Sequence, residues 1–220
     1  MDFKSKVRQN ITAWPELGIN YWGIHKNASS TMIMHLCTLT GTITPTEEEI
    51  EEGMLGKTTL VHSHRYITQE EAFENGLINF AITRHPLDRF ISIYKHLKYP
   101  RTSAQENTRR KIKMTGDFTP MDFLEHVITT FRTGKKINKH WDRQVANVPM
   151  PWVLDHVIKL ENLIEDWPLD IEPPVIKSNT TGDEDVDIDE RLIYNVYHQD
   201  YTQFGYQPKV FDKLGVSVYK

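Results

Sequence analysis

Cysteine is nearly absent: Cys37 is the one cysteine in 220 residues. No internal disulfide can form, which fits a reducing compartment. Cys37 lies in an apolar stretch, where a small buried hydrophobe is the simpler role than a reactive thiol. Long apolar runs are missing too. Nothing approaches the roughly 18 consecutive apolar residues of a membrane span, and the opening MDFKSKVRQN has no apolar signal core. A cytoplasmic protein without signal peptide or transmembrane segment is expected. No charge dominates, since a net charge of −4 gives no general attraction for nucleic acid. The ten histidines are scattered, without an H-E-x-x-H motif or a Cys/His cluster, so no metal is expected. Internal repeats and low-complexity linkers are also lacking.

What remains is an ordinary globular composition, 39% hydrophobic and 25% charged, in a chain long enough to bury a sizeable core as one domain, 1–220. The chain is organised around INYWGIHKNASSTMIMHL, Ile19 to Leu36. Asn20 to Ile24 reads as a buried strand, His25 to Ser30 as a polar turn, and Thr31 to Leu39 as a helix. The turn therefore falls at a helix N-terminus, where backbone N–H groups lack partners and the macrodipole favours an anion. Small residues at Asn27, Ala28, Ser29 and Ser30 allow a close approach, and Lys26 adds a mobile positive charge. The nucleotide-binding pattern G-x-x-x-x-G-K-[ST] is not met, because here the lysine leads and the glycines are missing. A capped, solvated strand-to-helix turn stands as the alternative.

Further on, TPTEEEIEEGMLG reads as an acidic loop or short helix, and Thr58 to Ser63 as a second strand. Thr68 and Glu71 form a capping box for a short helix ending before Gly76. Leu77 to Thr83 is a continuous apolar run suited to a strand covered on both faces. A helix from Pro86 to about Lys98 follows, with Arg84 at the strand-to-helix junction, where ligands bind in open α/β sheets. The basic stretch from Lys95 to Lys113 is a loop or exposed helix, either a solvated face or a hold on an anionic acceptor. Thr119 and Pro120 open another helix, which ends at Gly134. The polar and aromatic cluster Lys139 to Gln144 lies in a long loop. His156 to Leu160 reads as a strand, Arg191 to His198 as a helix, and Tyr201, Phe204, Tyr206 and Phe211 as a C-terminal aromatic set. The alternation predicts an α/β fold, a central mostly parallel sheet flanked by helices.

Four stretches in this order resemble the sulfotransferases that use 3'-phosphoadenosine-5'-phosphosulfate (PAPS), in particular the carbohydrate sulfotransferases. IHKNASST is similar to their 5'-phosphosulfate loop, and RHPLDRFISIYKHL to their 3'-phosphate element, with an arginine and a serine eight positions apart. HWDRQ is similar to a histidine-tryptophan segment of one branch, and YHQDYTQFGY to the family's closing segment. The resemblance implies a P-loop-like sulfotransferase fold and transfer of a sulfuryl group from PAPS to a hydroxyl, less readily an amine, of a carbohydrate or other small acceptor. The product nucleotide is 3'-phosphoadenosine-5'-phosphate (PAP), with no metal, nucleic acid or membrane partner.

On the same resemblance, Lys26, Asn27, Ala28, Ser29, Ser30 and Thr31 hold the 5'-phosphosulfate, while Arg84 and Ser92 hold the 3'-phosphate. Lys177, Thr180 and Thr181, with Asn179, match a later nucleotide-contacting segment more loosely. A histidine suits the base that takes the acceptor's proton. A similar H-x-H pair in the branch that sulfates the 2-position of uronic acids points to His64, with His62 assisting or binding the acceptor, and His140 in HWDRQ is the rival. The bland alternatives are a surface Lys26, an Arg84 salt bridge with Glu161 or Asp88, and satisfied polar histidines at a strand end. An ATP-dependent phosphotransferase with a variant loop, or a non-catalytic nucleotide- or glycan-binding relic, are the competing functions.

Overall fold

The computed structural model describes residues 10–42, 65–100, 103–134, 138–148, 151–175 and 185–209. The acidic stretch after the first helix, the strand expected over Thr58–Ser63 with His62 and His64, and Lys177 to Thr181 lie outside them. Along the chain the described elements are β1 (Asn10–Trp14), β2 (Ile19–Gly23), α1 (Ser29–Leu39), β3 (Arg65–Ile67), α2 (Gln69–Glu74), β4 (Ile78–Thr83), α3 (Pro86–Lys98), α4 (Ser103–Lys111), α5 (Pro120–Thr133), α6 (Gln144–Asn147), β5 (His156–Lys159) and α7 (Glu190–Gln203). They fall into two compact units, one drawn from Met1–Thr83 and Gln144–Asn179, the other from Arg84–Arg143 and Thr180–Lys220.

The first unit is built on a mixed sheet of order β3-β1-β2-β4-β5. Its β2, β4 and β5 are parallel, as the α/β pattern predicts. On the other side β1 is antiparallel to both β2 and β3, an extension the sequence reading did not anticipate. The β1–β2 connection is a short 3-10 turn, Pro15–Leu17, closed by Gly18 at φ 70°, a left-handed position that suits glycine. Ile19 and Tyr21 of β2, Phe80 and Ile82 of β4, and Ile158 of β5 form one core with Met32, Leu36 and Cys37 of α1. Cys37 is buried there as a small hydrophobe. Asn20, Trp22 and Asn79 alternate with these residues and meet α2: Asn20 Nδ2 donates to the Ala72 carbonyl at 3.0 Å, and the Trp22 and Phe73 rings lie 5.4 Å apart. The expected capping box starts α2, with Thr68 Oγ1 accepting from Glu71 N at 3.2 Å and Glu71 Oε2 accepting from Thr68 N at 2.7 Å.

Register between β2 and β4 is fixed by polar groups in an otherwise apolar layer. Asn20 stands opposite Asn79, both buried. Asn79 Oδ1 accepts from Asn20 Nδ2 at 3.2 Å and from Trp22 Nε1 at 2.9 Å, while Asn20 and Asn75 exchange hydrogen bonds at 2.9 and 3.0 Å. A one-residue slip would turn the apolar face outward. A two-residue slip, roughly 6.6 Å, would keep the faces but strand these amides without partners.

In the second unit, Pro86 opens α3 and Thr119 caps α5 with Asp122 in a capping box, while Gly134 at φ 61° ends α5. Phe90, Ile93, Tyr94 and Leu97 of α3 are buried, as are Phe123, Leu124 and Val127 of α5, and the Phe90 and Phe123 rings stack at 5.2 Å. The basic stretch contains a helix, α4, and several of its charges have local partners. Arg110 pairs with Glu106 at 3.4 Å, Arg109 Nε donates to the Met114 carbonyl at 2.7 Å, and Lys98 pairs with Asp117. Lys98 and Arg109 also lie over the Phe118 ring, at 5.4 and 5.6 Å. These three cations are therefore part of the local structure as well as of a solvated face.

Removing the register amide should be costly. Asn79→Ala leaves the Trp22 and Asn20 donors short of a buried acceptor, and a loss of about 2–3 kcal/mol in urea unfolding is expected. An unchanged midpoint would show that the pair carries no specificity.

Candidate functional site

The Lys26 turn begins where β2 ends. Lys26 and Ala28 both take left-handed backbone conformations, φ 71° and 56°, and α1 starts at Ser29, two residues earlier than the sequence suggests. For residues other than glycine this conformation costs roughly 1–2 kcal/mol each. The strain is held by the residue between them. Asn27 is fully buried, its Nδ2 donating to the Ile82 carbonyl at 2.9 Å and to Gln144 Oε1 at 2.6 Å, and its N–H bonds Ile24 O at 3.3 Å. Its side chain thus faces the protein interior. The first bond of α1 runs from Met32 N–H to Ala28 O at 2.9 Å, so the N–H groups of Ser29, Ser30 and Thr31 precede the helical ladder. Ala28 supplies no side-chain cap. Lys26, Ser29 and Thr31 are half-buried and Ser30 is exposed, beside a helix end that favours negative charge. His25, just ahead, lies 2.8 Å from Asn10 through its Nε2.

Arg84 and Ser92 belong to the second unit, and both are half-buried. Arg84 directly follows β4, and Ser92 lies on α3. Asp88, one of the salt-bridge partners considered for Arg84, is taken by Lys209 at 2.7 and 2.8 Å. Beside Arg84, buried His85 caps α3 and donates from Nε2 to the Gln207 carbonyl at 3.0 Å. Tyr201 and Tyr206 pack edge-on against its ring, each at 5.4 Å, and the Tyr201 hydroxyl donates to buried Glu190 at 2.9 Å. The YHQDYTQFGY stretch thus fastens the start of α3. Burial and the neighbouring Glu190 carboxylate push the Tyr201 hydroxyl up, so it stays protonated as the donor.

The 140–143 part of HWDRQ is held through its backbone carbonyls. Arg89 is buried and donates from Nη1 to the Asp142 carbonyl at 2.8 Å and from Nη2 to the His140 carbonyl at 3.1 Å. Tyr197 OH donates to the carbonyl between them, that of Trp141, at 2.7 Å. Tyr197 is also the non-helical residue inside α7, and Arg143 Nε donates to the Val196 carbonyl at this kink, at 3.3 Å. Trp141 is buried edge-on to Phe123 and His126, each at 5.8 Å. Burial lowers the Arg89 guanidinium from its ordinary range, while Tyr197, Asp200 and Asp142 oppose the shift. His140 is half-buried, stacked on His96 at 6.0 Å with 21° between the rings, and its Nδ1 lies 2.8 Å from Asn138 Oδ1.

Residues 9–170 match the sequence model of the Sulfotransferase family. This chain belongs to the sulfotransferase family. The match spans β1 to β5 and includes the Lys26 turn, Arg84, Ser92 and His140, and it supports sulfuryl transfer in general. No curated protein and no solved structure matches the chain. Among the described residues of this sulfotransferase no helix is long and apolar enough to cross a membrane, and no group of three or more His, Cys, Asp or Glu side chains could hold a metal ion. The sequence reading did not single out Asn138, and it gave Arg89 and Gln144 no separate role. Asn138 carried one sequence signal, since an Asn often bonds the backbone N–H two residues on.

Two variants test how these loops are held. Asn27→Ala removes the fastening of the left-handed turn, and a loss of about 1–3 kcal/mol in urea unfolding is expected; a neutral effect would mean the turn is held by other contacts. Asp142 is held above the usual carboxylate range by burial, which outweighs the Arg143 N–H bond and the Arg89 and Arg143 charges. The folded state therefore binds its proton more tightly than the unfolded state does. That stabilising contribution is full below the unfolded pKa and is lost as pH rises through the folded one. Asp142→Asn should gain stability relative to the parent between pH 4 and pH 7, and a constant difference would contradict the assignment.

Proposed function

We propose that this sulfotransferase moves a sulfuryl group from PAPS to a hydroxyl of a carbohydrate or other small acceptor by in-line displacement. The Lys26 turn carries the reading. It sets a lysine and three N–H groups ahead of the α1 ladder at the positive end of that helix, in a conformation that glycine would adopt more cheaply. The 5'-phosphosulfate is assigned to Lys26, Ala28, Ser29, Ser30 and Thr31, with Asn27 shaping the turn. The 3'-phosphate is assigned to Arg84 and Ser92, since a guanidinium offers two charge-assisted bonds. Lys177, Thr180 and Thr181 complete the nucleotide assignment. As the acceptor oxygen bonds to sulfur, the bond from sulfur to the 5'-phosphate oxygen breaks and its electron pair stays on that oxygen. Lys26 neutralises the charge growing there. A sulfuryl group carries less negative charge than a phosphoryl group, so positioning and a lysine can do without a metal clamp.

The acceptor's proton goes to a histidine. The uronic-acid branch favours His64, with His62 beside it, whereas the Asn138 contact to the ring of His140 favours that residue as the second reading. Saturating PAP, at about 100 times its dissociation constant, should stabilise the fold by roughly 2.7 kcal/mol, and stabilisation by Mg-ATP alone would point to the phosphotransferase instead. Arg84→Ala should weaken that response. His64→Ala should lower turnover with donor affinity kept; if it leaves turnover intact and His140→Ala abolishes it, the base is His140. Labelled sulfate on any acceptor in a glycan and small-molecule screen would rule out a non-catalytic relic.

A further inference from the structure

We propose that Asn138 is a positioning residue that holds the His140 ring in the tautomer protonated on Nδ1, leaving Nε2 as the nitrogen that takes the acceptor's proton. The inference rests on the second reading above, His140 as the base. One oxygen, Asn138 Oδ1, lies 3.0 Å from the His140 backbone nitrogen and 2.8 Å from its ring Nδ1. A backbone N–H can only donate, so the amide atom facing it is the oxygen and not the nitrogen. An amide oxygen can only accept, so Nδ1 carries a hydrogen. Neutral imidazole has one N–H, and Nε2 therefore bears the lone pair. Two contacts to a single atom fix both the amide orientation and the tautomer, which one contact alone would leave open.

A second contact orients the same ring: it stacks on His96 at 6.0 Å, while the backbone carbonyl of His140 is held by Arg89. The neutral amide orients the ring without adding a charge beside it. In the step itself the acceptor oxygen bonds to sulfur, and the bond from sulfur to the 5'-phosphate oxygen breaks with its electron pair on that oxygen. The hydroxyl proton passes to His140 Nε2. The resulting imidazolium keeps its Nδ1–H on Asn138 Oδ1.

The test is nitrogen NMR of the full chain with 15N-labelled histidine, His140 being assigned by its loss in His140→Gln. The neutral ring should show hydrogen on Nδ1 and none on Nε2. Asn138→Ala should spread the proton over both nitrogens and cut kcat at least about 10-fold, a part of the roughly 10²–10⁴-fold that a positioned base supplies, while stabilisation by PAP is unchanged. Asn138→Asp keeps an acceptor oxygen and should retain the Nδ1–H form. Hydrogen on Nε2 in the parent, or an unchanged tautomer in Asn138→Ala, overturns the proposal. Should Asn138→Ala not fold, the parent spectrum and Asn138→Asp decide the matter. If the ring responds as expected but His140→Gln keeps full turnover, the base reading fails, and Asn138 retains only its hold on the ring.

Discussion

The Asn20–Asn79 pair is the contact on which the placement of the Lys26 turn depends. Apolar alternation forbids a one-residue slip of β2 against β4, and these buried amides, with Trp22 Nε1 on the same oxygen, oppose a slip of two. Register decides where each strand stops. β2 stops at Gly23 and leads into the turn; β4 stops at Thr83, and the next residue in the chain is Arg84. The buried polar groups also tie α2 to the sheet, so one network sets the register and covers one face.

The Lys26 turn shows how a loop can do without glycine. Two left-handed residues that are not glycine persist because Asn27 is bonded on the inside to β4 and to Gln144. Asn27, one of the residues expected to hold the 5'-phosphosulfate, has its side chain bonded on the inside of the turn. The conformational cost at Lys26 and Ala28 is offset by bonds made in a dry interior, where an amide donor has no competing water. Gln144, the last residue of HWDRQ, is one end of that fastening, which ties a distant stretch of sequence to the turn.

In the second unit a single charge organises the candidate-base loop. Buried Arg89 takes two carbonyls, those of His140 and Asp142, and Tyr197 takes the one between. Three successive carbonyls that a loop would ordinarily give to water are held by side chains from α3 and α7. The α7 kink at Tyr197 belongs to the same arrangement, since Arg143 bonds the carbonyl just before it.

Much of this was legible in the sequence. Local chemistry sets the ends of α2, α3 and α5, because capping boxes, an N1 proline and Gly134 act within a few residues. The continuous apolar run of β4 and the Lys26 turn were readable for the same reason, and the family match, over residues 9–170, takes in three of the four short motifs that carried the resemblance. The antiparallel β1 was not read, although Pro15 and Gly18 mark a turn between two apolar runs, because strand pairing is a non-local choice. The inward face of Asn27 and the carbonyl clamp of Arg89 were beyond reach for a stronger reason. Each depends on which donor meets which acceptor across many residues of chain, from Asn27 to Gln144 or from Arg89 to Asp142. The sequence by itself determined the fold class, the family and the residue types of the candidate site. Only the tertiary structure decided which of those residues face inward as fastenings, because hydrogen-bond partners are chosen in space.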